Sequence, residues 1–347
     1  MNMLTRLLWL CATLALPVRA ADDPRHPYLP GDRARVVVVE DRAALNALKL
    51  NPEVIHQMVE RGILGFTGQT NIAAAWLSLV STNDVVGIKV HSSPGRVGGT
   101  RPAVVEGVIQ GLLQAGLPAT NIVVWDKRIA DLGAAGYFEL AERYEVRIAG
   151  AATAGWDETT YYDNPLLGKL IWGDLEFGRK DGNAGRRSFV TRLITEELTR
   201  IINVSPMLNH NEARVAGCLF SLASGSVDNF LRFEGDAYRL EIAIPEIYAL
   251  EAIGDRVALN IVDALLAQYE GGQRTLLHYS TPLSQLRFSR DPVALDLLSA
   301  HELSALRKVP LPDNVRTNFT LFNNAALVQL GINAVSYTHL TLPTNRE

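Results

Sequence analysis

The sequence predicts an α/β fold: a mostly parallel sheet with helices on both faces, in one domain that carries an inserted aromatic and glycine-rich excursion. Three observations predict it. Short β-branched runs alternate with segments of helical periodicity, the order expected of right-handed strand–helix–strand crossovers. At 347 residues with 48% apolar content, the chain can bury a substantial core. Between residues 156 and 187 the αβ rhythm stops, in a stretch rich in glycine, tryptophan and tyrosine.

The elements follow in order. ARVVVVED (34–41) reads as a buried strand, and NPEVIHQMVERG and NIAAAWLSLV as helices. DVVGIKV returns to strand. RPAVVEGVIQGLLQAG gathers Val104, Val105, Val108, Ile109, Leu112 and Leu113 on one helical face and stops at Gly116. NIVVWD (121–126) is a second buried strand, and AAGYFELAERY a short helix leading to the strand YEVRIAG. The polar, aromatic stretch 156–187 is long for a loop in a compact domain, and its aromatic content predicts a lid or hairpin rather than disorder. TRIINVSPM resumes as strand, EARVAGCLFSLASG and IPEIYALEAIG as helices, RVALNIVDALL as strand and DPVALDLLSAHELSALR as helix.

Both ends read differently from the middle. Residues 1–20 have a positive start at Arg6, a short apolar core from Leu7 to Leu16 and a small residue at Ala20. That is the pattern of a cleaved Sec-type signal peptide, so the protein is expected to be exported, periplasmic or secreted, without a permanent membrane anchor. Cleavage would remove Cys11 and leave Cys218 alone in an apolar helical stretch, an inert thiol. Neither a disulfide nor a cysteine-ligated iron–sulfur cluster is then expected. At the other end, Val335 to Thr344 resemble the translation of a transposon-type sequencing adapter. Residues 334–347 are therefore expected to be a non-native tail, His339 is not a ligand, and the native C-terminus lies beyond about residue 333. The net charge of −4 and the lack of a basic block argue against nucleic acid as a partner.

In an open parallel sheet, ligands gather beyond the carboxyl ends of the strands. Lys89 and His91 end one strand there, followed by Arg96, Gly98 and Gly99, with Thr100 as helix N-cap. A glycine-rich turn before a helix suits an anion, and arginine forks suit carboxylate or phosphate. The pattern matches neither GxxxxGK[ST] nor GxGxxG, so no nucleotide is expected. Asp126 ends the next strand, as a ligand, a base or a helix cap. Asn209, His210 and Asn211 stand between a strand and a helix; a lone histidine is often structural, but three polar side chains there can converge on a ligand. ASGSVDNFLRFE is largely explained by turn chemistry. Asp263 lies near the end of an apolar strand and needs a partner. Ser289 is placed to cap the helix whose first turn holds Asp291.

These segments also carry a resemblance. GIKVH, TRP, IVVWDK, INVSPMLNH, GSVDN, NIVDAL and SRDPVALD, in this order between Val36 and Leu330, look like the DUF362 family. The resemblance implies an α/β domain of unsettled biochemical role, often exported and in some members joined to iron–sulfur modules. This chain departs from the pattern in having His91 where the family often has asparagine and Asn209 where it often has lysine. A Lys–Asn pair is replaced at Phe220-Ser221, and the cluster cysteines are missing. A histidine at position 91 suits a divalent metal.

Two functions are expected from this. The first is an enzyme acting on a small anionic substrate. Lys89, His210 and Asp263 would carry its chemistry, and Arg96, Gly98, Gly99, Thr100, Asn209 and Asn211 would line its ligand site. His91, Asp126 and Asp291 would hold a divalent metal. The alternative is a periplasmic ligand-binding or accessory protein that uses the same cleft without catalysis.

Overall fold

The computed structural model describes residues 33–332 and 335–341; the expected signal peptide lies outside them. The sheet contains β1 (Ala34–Glu40), β2 (Val86–Val90), β3 (Ile122–Asp126) and β4 (Arg147–Gly150). A hairpin, β5 (Trp156–Asp163) and β6 (Arg187–Thr191), pairs separately from it. The sheet continues with β7 (Arg200–His210), β8 (Val257–Gln268), β9 (Ser280–Ser289) and β10 (Val335–Thr341). Its order is β10-β1-β9-β8-β7-β2-β3-β4. From β8 to β4 every neighbour is parallel. Only β9 runs against both of its neighbours. The fold is α/β with a mostly parallel sheet, as the sequence predicts.

Alternation along the strands builds two apolar layers. Val86, Ile88 and Val90 of β2 and Ile122 and Val124 of β3 face one layer with α1 (Pro52–Thr67) and α2 (Pro102–Gln114). Val123 and Trp125 face the other, covered by α3 (Cys218–Ser226), α4 (Ala237–Tyr248) and α5 (Pro292–Leu306). The same alternation turns Lys89 toward α3.

Three elements differ from the sequence reading. Residues 212–217 do not begin a helix: Arg214–Val215 pairs back onto β7, and the helix starts at Cys218. Strand β9 went unread because its polar Gln285 and Arg287 break the apolar pattern. In the fold Arg287 is buried and paired with Glu302 of α5. Asp291, and not Ser289, caps α5, accepting the Ala294 amide at 2.8 Å. The adapter-like segment lies as the edge strand β10, parallel to β1. Edge pairing uses backbone groups that any strand can offer, so this register does not bear on the segment's origin.

The strand order reverses beside β2. The chain passes outward through β3 and β4, then returns to lay β7 on the other side of β2. Crevices form beyond strand ends at such reversals.

Candidate functional site

The ends of β2 and β3 are tied together by one carboxylate. Asp126 Oδ2 accepts from the Ser92 amide at 2.7 Å and the Ser92 hydroxyl at 2.6 Å. Its Oδ1 accepts from the Lys127 amide at 2.8 Å and pairs with Lys89 Nζ at 2.9 Å. The ammonium of Lys89 also donates to the Val90 carbonyl at 2.6 Å and to Ser221 Oγ of α3 at 3.2 Å. Helix α3 crosses at Gly225, where a Cβ would collide with the Lys89 side chain. Burial lowers the Lys89 pKa, opposed by Asp126. Burial raises that of Asp126, but Lys89, His91 and the Ser92 hydrogen bonds outweigh it and hold the carboxyl below its usual range.

This placement corrects the catalytic reading of Lys89. Its side chain is wholly enclosed, all three ammonium donors have acceptors, and it lies beneath the cleft without lining it. It positions Asp126.

Above Asp126 opens a cleft of about 210 Å³. His91, Lys127, Phe220, Phe230, Glu234 and Gln273 are among the residues lining it. Burial brings the His91 pKa down to about 4, and its Nε2 has no hydrogen-bond partner. The imidazole is therefore neutral at neutral pH, with its Nε2 enclosed and the Gln273 side chain beside it. Phe220 stands between His91 and His210, at centroid distances of 6.1 and 4.4 Å. Lys127 Nζ donates to the Ser224 carbonyl at 3.2 Å and lies 5.9 Å from the Phe230 ring centre. Burial pushes the Lys127 pKa down to about 8, against the pull of Asp228, Asp174 and Glu234.

The other expected site residues lie apart from this cleft or serve its walls. Asp263 is buried and accepts from the Arg101 amide at 2.9 Å and its guanidinium at 2.8 Å, so its partner is structural. Arg96 is exposed and reaches Glu139 at 3.5 Å. Gly98 and Gly99 belong to a tight turn in which a Cβ would strike Thr275 or the His91 carbonyl. The Gly99 and Thr100 amides are already bonded to Gly95 and His91 carbonyls, which leaves no open amide cradle at those two positions. Thr100 caps no helix. Its hydroxyl accepts from the His91 amide and donates to the Val204 carbonyl, joining β2 to β7. His210 ends β7, and its Nδ1 accepts from the Glu212 and Ala213 amides at 3.2 and 3.0 Å, closing a turn. Burial brings its pKa to about 4. Asn209 accepts from the Gly272 amide at 3.0 Å, and Asn211 lies against Gly272, so both hold the loop that delivers Gln273.

His91, Asp126 and Asp291 do not form a metal site. Asp291 accepts from the Ala294 and Ile332 amides at the start of α5, and all of Asp126's oxygen capacity is engaged. Among the described residues no three or more His, Cys, Asp or Glu side chains are arranged to hold a metal ion.

Sequence reasoning passed over the segment that carries the cleft's far wall. Asp228 accepts from the Leu175 and Phe189 amides at 2.8 and 2.6 Å, and Asn229 donates to the Gly185 and Arg187 carbonyls. Arg232 reaches the carbonyls of Asn164, Leu166, Gly185 and Arg186. Together they nail the 156–187 excursion to the core, where it supplies Lys169, Ile171 and Asp174 to the cleft. The spacing of these polar residues looked like turn chemistry because their partners lie 39 to 68 residues away in sequence. Arg232→Ala should leave those carbonyls without a donor and speed tryptic cleavage at Lys169, Arg179 and Lys180 by at least several-fold. Unchanged cleavage rates would show that the anchor lies elsewhere.

A family model described as "Domain of unknown function (DUF362)" matches residues 86–301, more than half of the chain. The match spans every residue that lines the cleft. No curated protein matches the chain.

Proposed function

The chain belongs to the DUF362 family, and from that premise we propose that it is an exported enzyme acting on a small anionic molecule in the cleft beyond β2 and β3. The observation that carries this reading is His91, a neutral imidazole that lines the cleft together with Arg128 and Lys169. A neutral imidazole in the wall of a cleft can take a proton from a ligand bound there. Arg128 and Lys169 line the cleft with no carboxylate within ion-pair distance among the described residues, and although the charge of Arg128 acts on Asp131 and Glu234, both cations can meet a ligand's negative group. Asp131 and Glu234 line it too, each with a pKa raised by burial. A substrate that also carries hydroxyl or ammonium donors would satisfy them. No metal enters this reading.

Malonate, a small dianion, tests it by thermal shift. It should raise the melting temperature of the wild type and of His91→Gln alike. The shift should be lost in Arg128→Ala/Lys169→Ala. If no shift appears, or if the double variant keeps it, the anion site is not this cleft.

One observation favours the non-catalytic alternative. Trp172 is 88% exposed and packs edge-on to Phe177 on the excursion, beside cleft-lining Ile171. A ligand-binding or accessory protein would use such a surface to meet a partner. Under that reading Trp172→Ala abolishes function while malonate binding stays intact.

A further inference from the structure

Two lysines stand at the ends of adjacent strands, and only one of them is saturated. Lys89 has three oxygen acceptors and no access to the cleft. Lys127 follows β3 by one residue, lines the cleft, and spends one hydrogen bond, on the Ser224 carbonyl. Among the described residues it has no carboxylate within ion-pair distance, although Asp174 and Glu234 line the same cleft. Its Nζ lies 5.9 Å from the centre of the Phe230 ring, and the His91 ring lines the same cleft.

We propose that Lys127 is a covalent site, whose amine condenses with the carbonyl of a small anionic aldehyde or 2-oxo acid to form an imine. The inference rests on the reading that the cleft holds a small anion. In the step, the nitrogen lone pair of Lys127 forms the C–N bond while the carbonyl C–O double bond breaks. The two amine hydrogens leave with the carbonyl oxygen as one water molecule, so no oxidant or reductant is required. The His91 imidazole, in the wall of the same cleft, carries the proton from nitrogen to oxygen within the carbinolamine. Arg128 and Lys169 hold the carboxylate. The lowered basicity of Lys127 supports the same chemistry, because at about pH 7 roughly a tenth of it is free amine, against roughly one part in three thousand for an ordinary lysine.

The full chain has six lysines, so the product can be mapped without ambiguity. Glyoxylate with sodium cyanoborohydride, which reduces imines to stable amines, should give one adduct per chain, on Lys127. It should form at least tenfold faster than at exposed Lys169 or Lys180, with a rate that is half-maximal near pH 8. Lys127→Arg should lose that adduct and keep the slow ones. Wild-type labelling spread over Lys169 and Lys180, with Lys127 unmodified, overturns the proposal without recourse to any variant. If malonate still raises the melting temperature in that case, only the imine falls and the anion cleft stands. If malonate has no effect either, both readings fall.

Discussion

Lys89→Met is expected to cost the fold about 3–5 kcal/mol in urea unfolding, because it strips the counter-ion from a carboxylate buried at the junction of two strands. Asp126→Asn should cost a similar amount from the other side, leaving an enclosed ammonium with neutral acceptors only. The informative variant is Lys89→Met/Asp126→Asn. Removing both charges removes the desolvation that each imposes, so the double substitution should recover at least half of the loss. Losses that simply add would mean that the two groups are stabilised by other neighbours. A single-variant loss under about 1 kcal/mol would mean that the pair does not organise the strand ends. The same variants should reduce malonate binding, since Asp126 also sets the course of Ser92 and Lys127 at the cleft.

The second large effect is in pH. His91 and His210 have pKa values near 4 in the fold, against 6.5 in the unfolded chain, and burial is the main cause in both. Between those pH values the unfolded chain takes up protons that the fold refuses. Each histidine therefore removes about 3 kcal/mol of stability as pH falls from about 6.5 to about 4. Asp296 and Asp228 act oppositely. Burial raises them to about 7 and about 6, so the folded state takes their protons first and gains stability over much the same range. The wild-type profile is consequently shallow, and the readout is a difference. His91→Gln and His210→Gln should each gain about 3 kcal/mol relative to wild type between about pH 7 and about pH 4. A difference that does not change with pH would show that the folded histidine accepts a proton as readily as the unfolded one. For His91 that result would remove the neutral base from the proposed chemistry.

Most of the scaffold was legible in the residues. The apolar runs at 34–41, 86–90 and 121–126 are strands because a parallel sheet buries both of its faces. The helix at Pro102–Gln114 was legible from its spacing and its glycine stop. Strand β9 was not, since a buried arginine reads as surface until its glutamate is in place. The site was legible in outline: His91 and Asp126 were both placed at the carboxyl edge, and both line the cleft. Lys127, the last residue of IVVWDK, was passed over in favour of Lys89. Phe220 stood out only as part of a replaced Lys–Asn pair, and Gln273, a lone amide in a loop, gave no signal.

The ends of β2 and β3 were fixed locally, because hydrophobic periodicity is local and the charged residues that close these two strands are adjacent in the chain. Sequence by itself also established the family through an ordered set of motifs. Which closing charge faces the cleft was decided only in three dimensions. Lys89 and Lys127 are chemically the same side chain, yet α3 crosses over one and leaves the other at the cleft. The role of each depends on what lies within about 3 Å of its nitrogen, and those neighbours, Ser221 and Ser224, come from a helix more than ninety residues further along the chain.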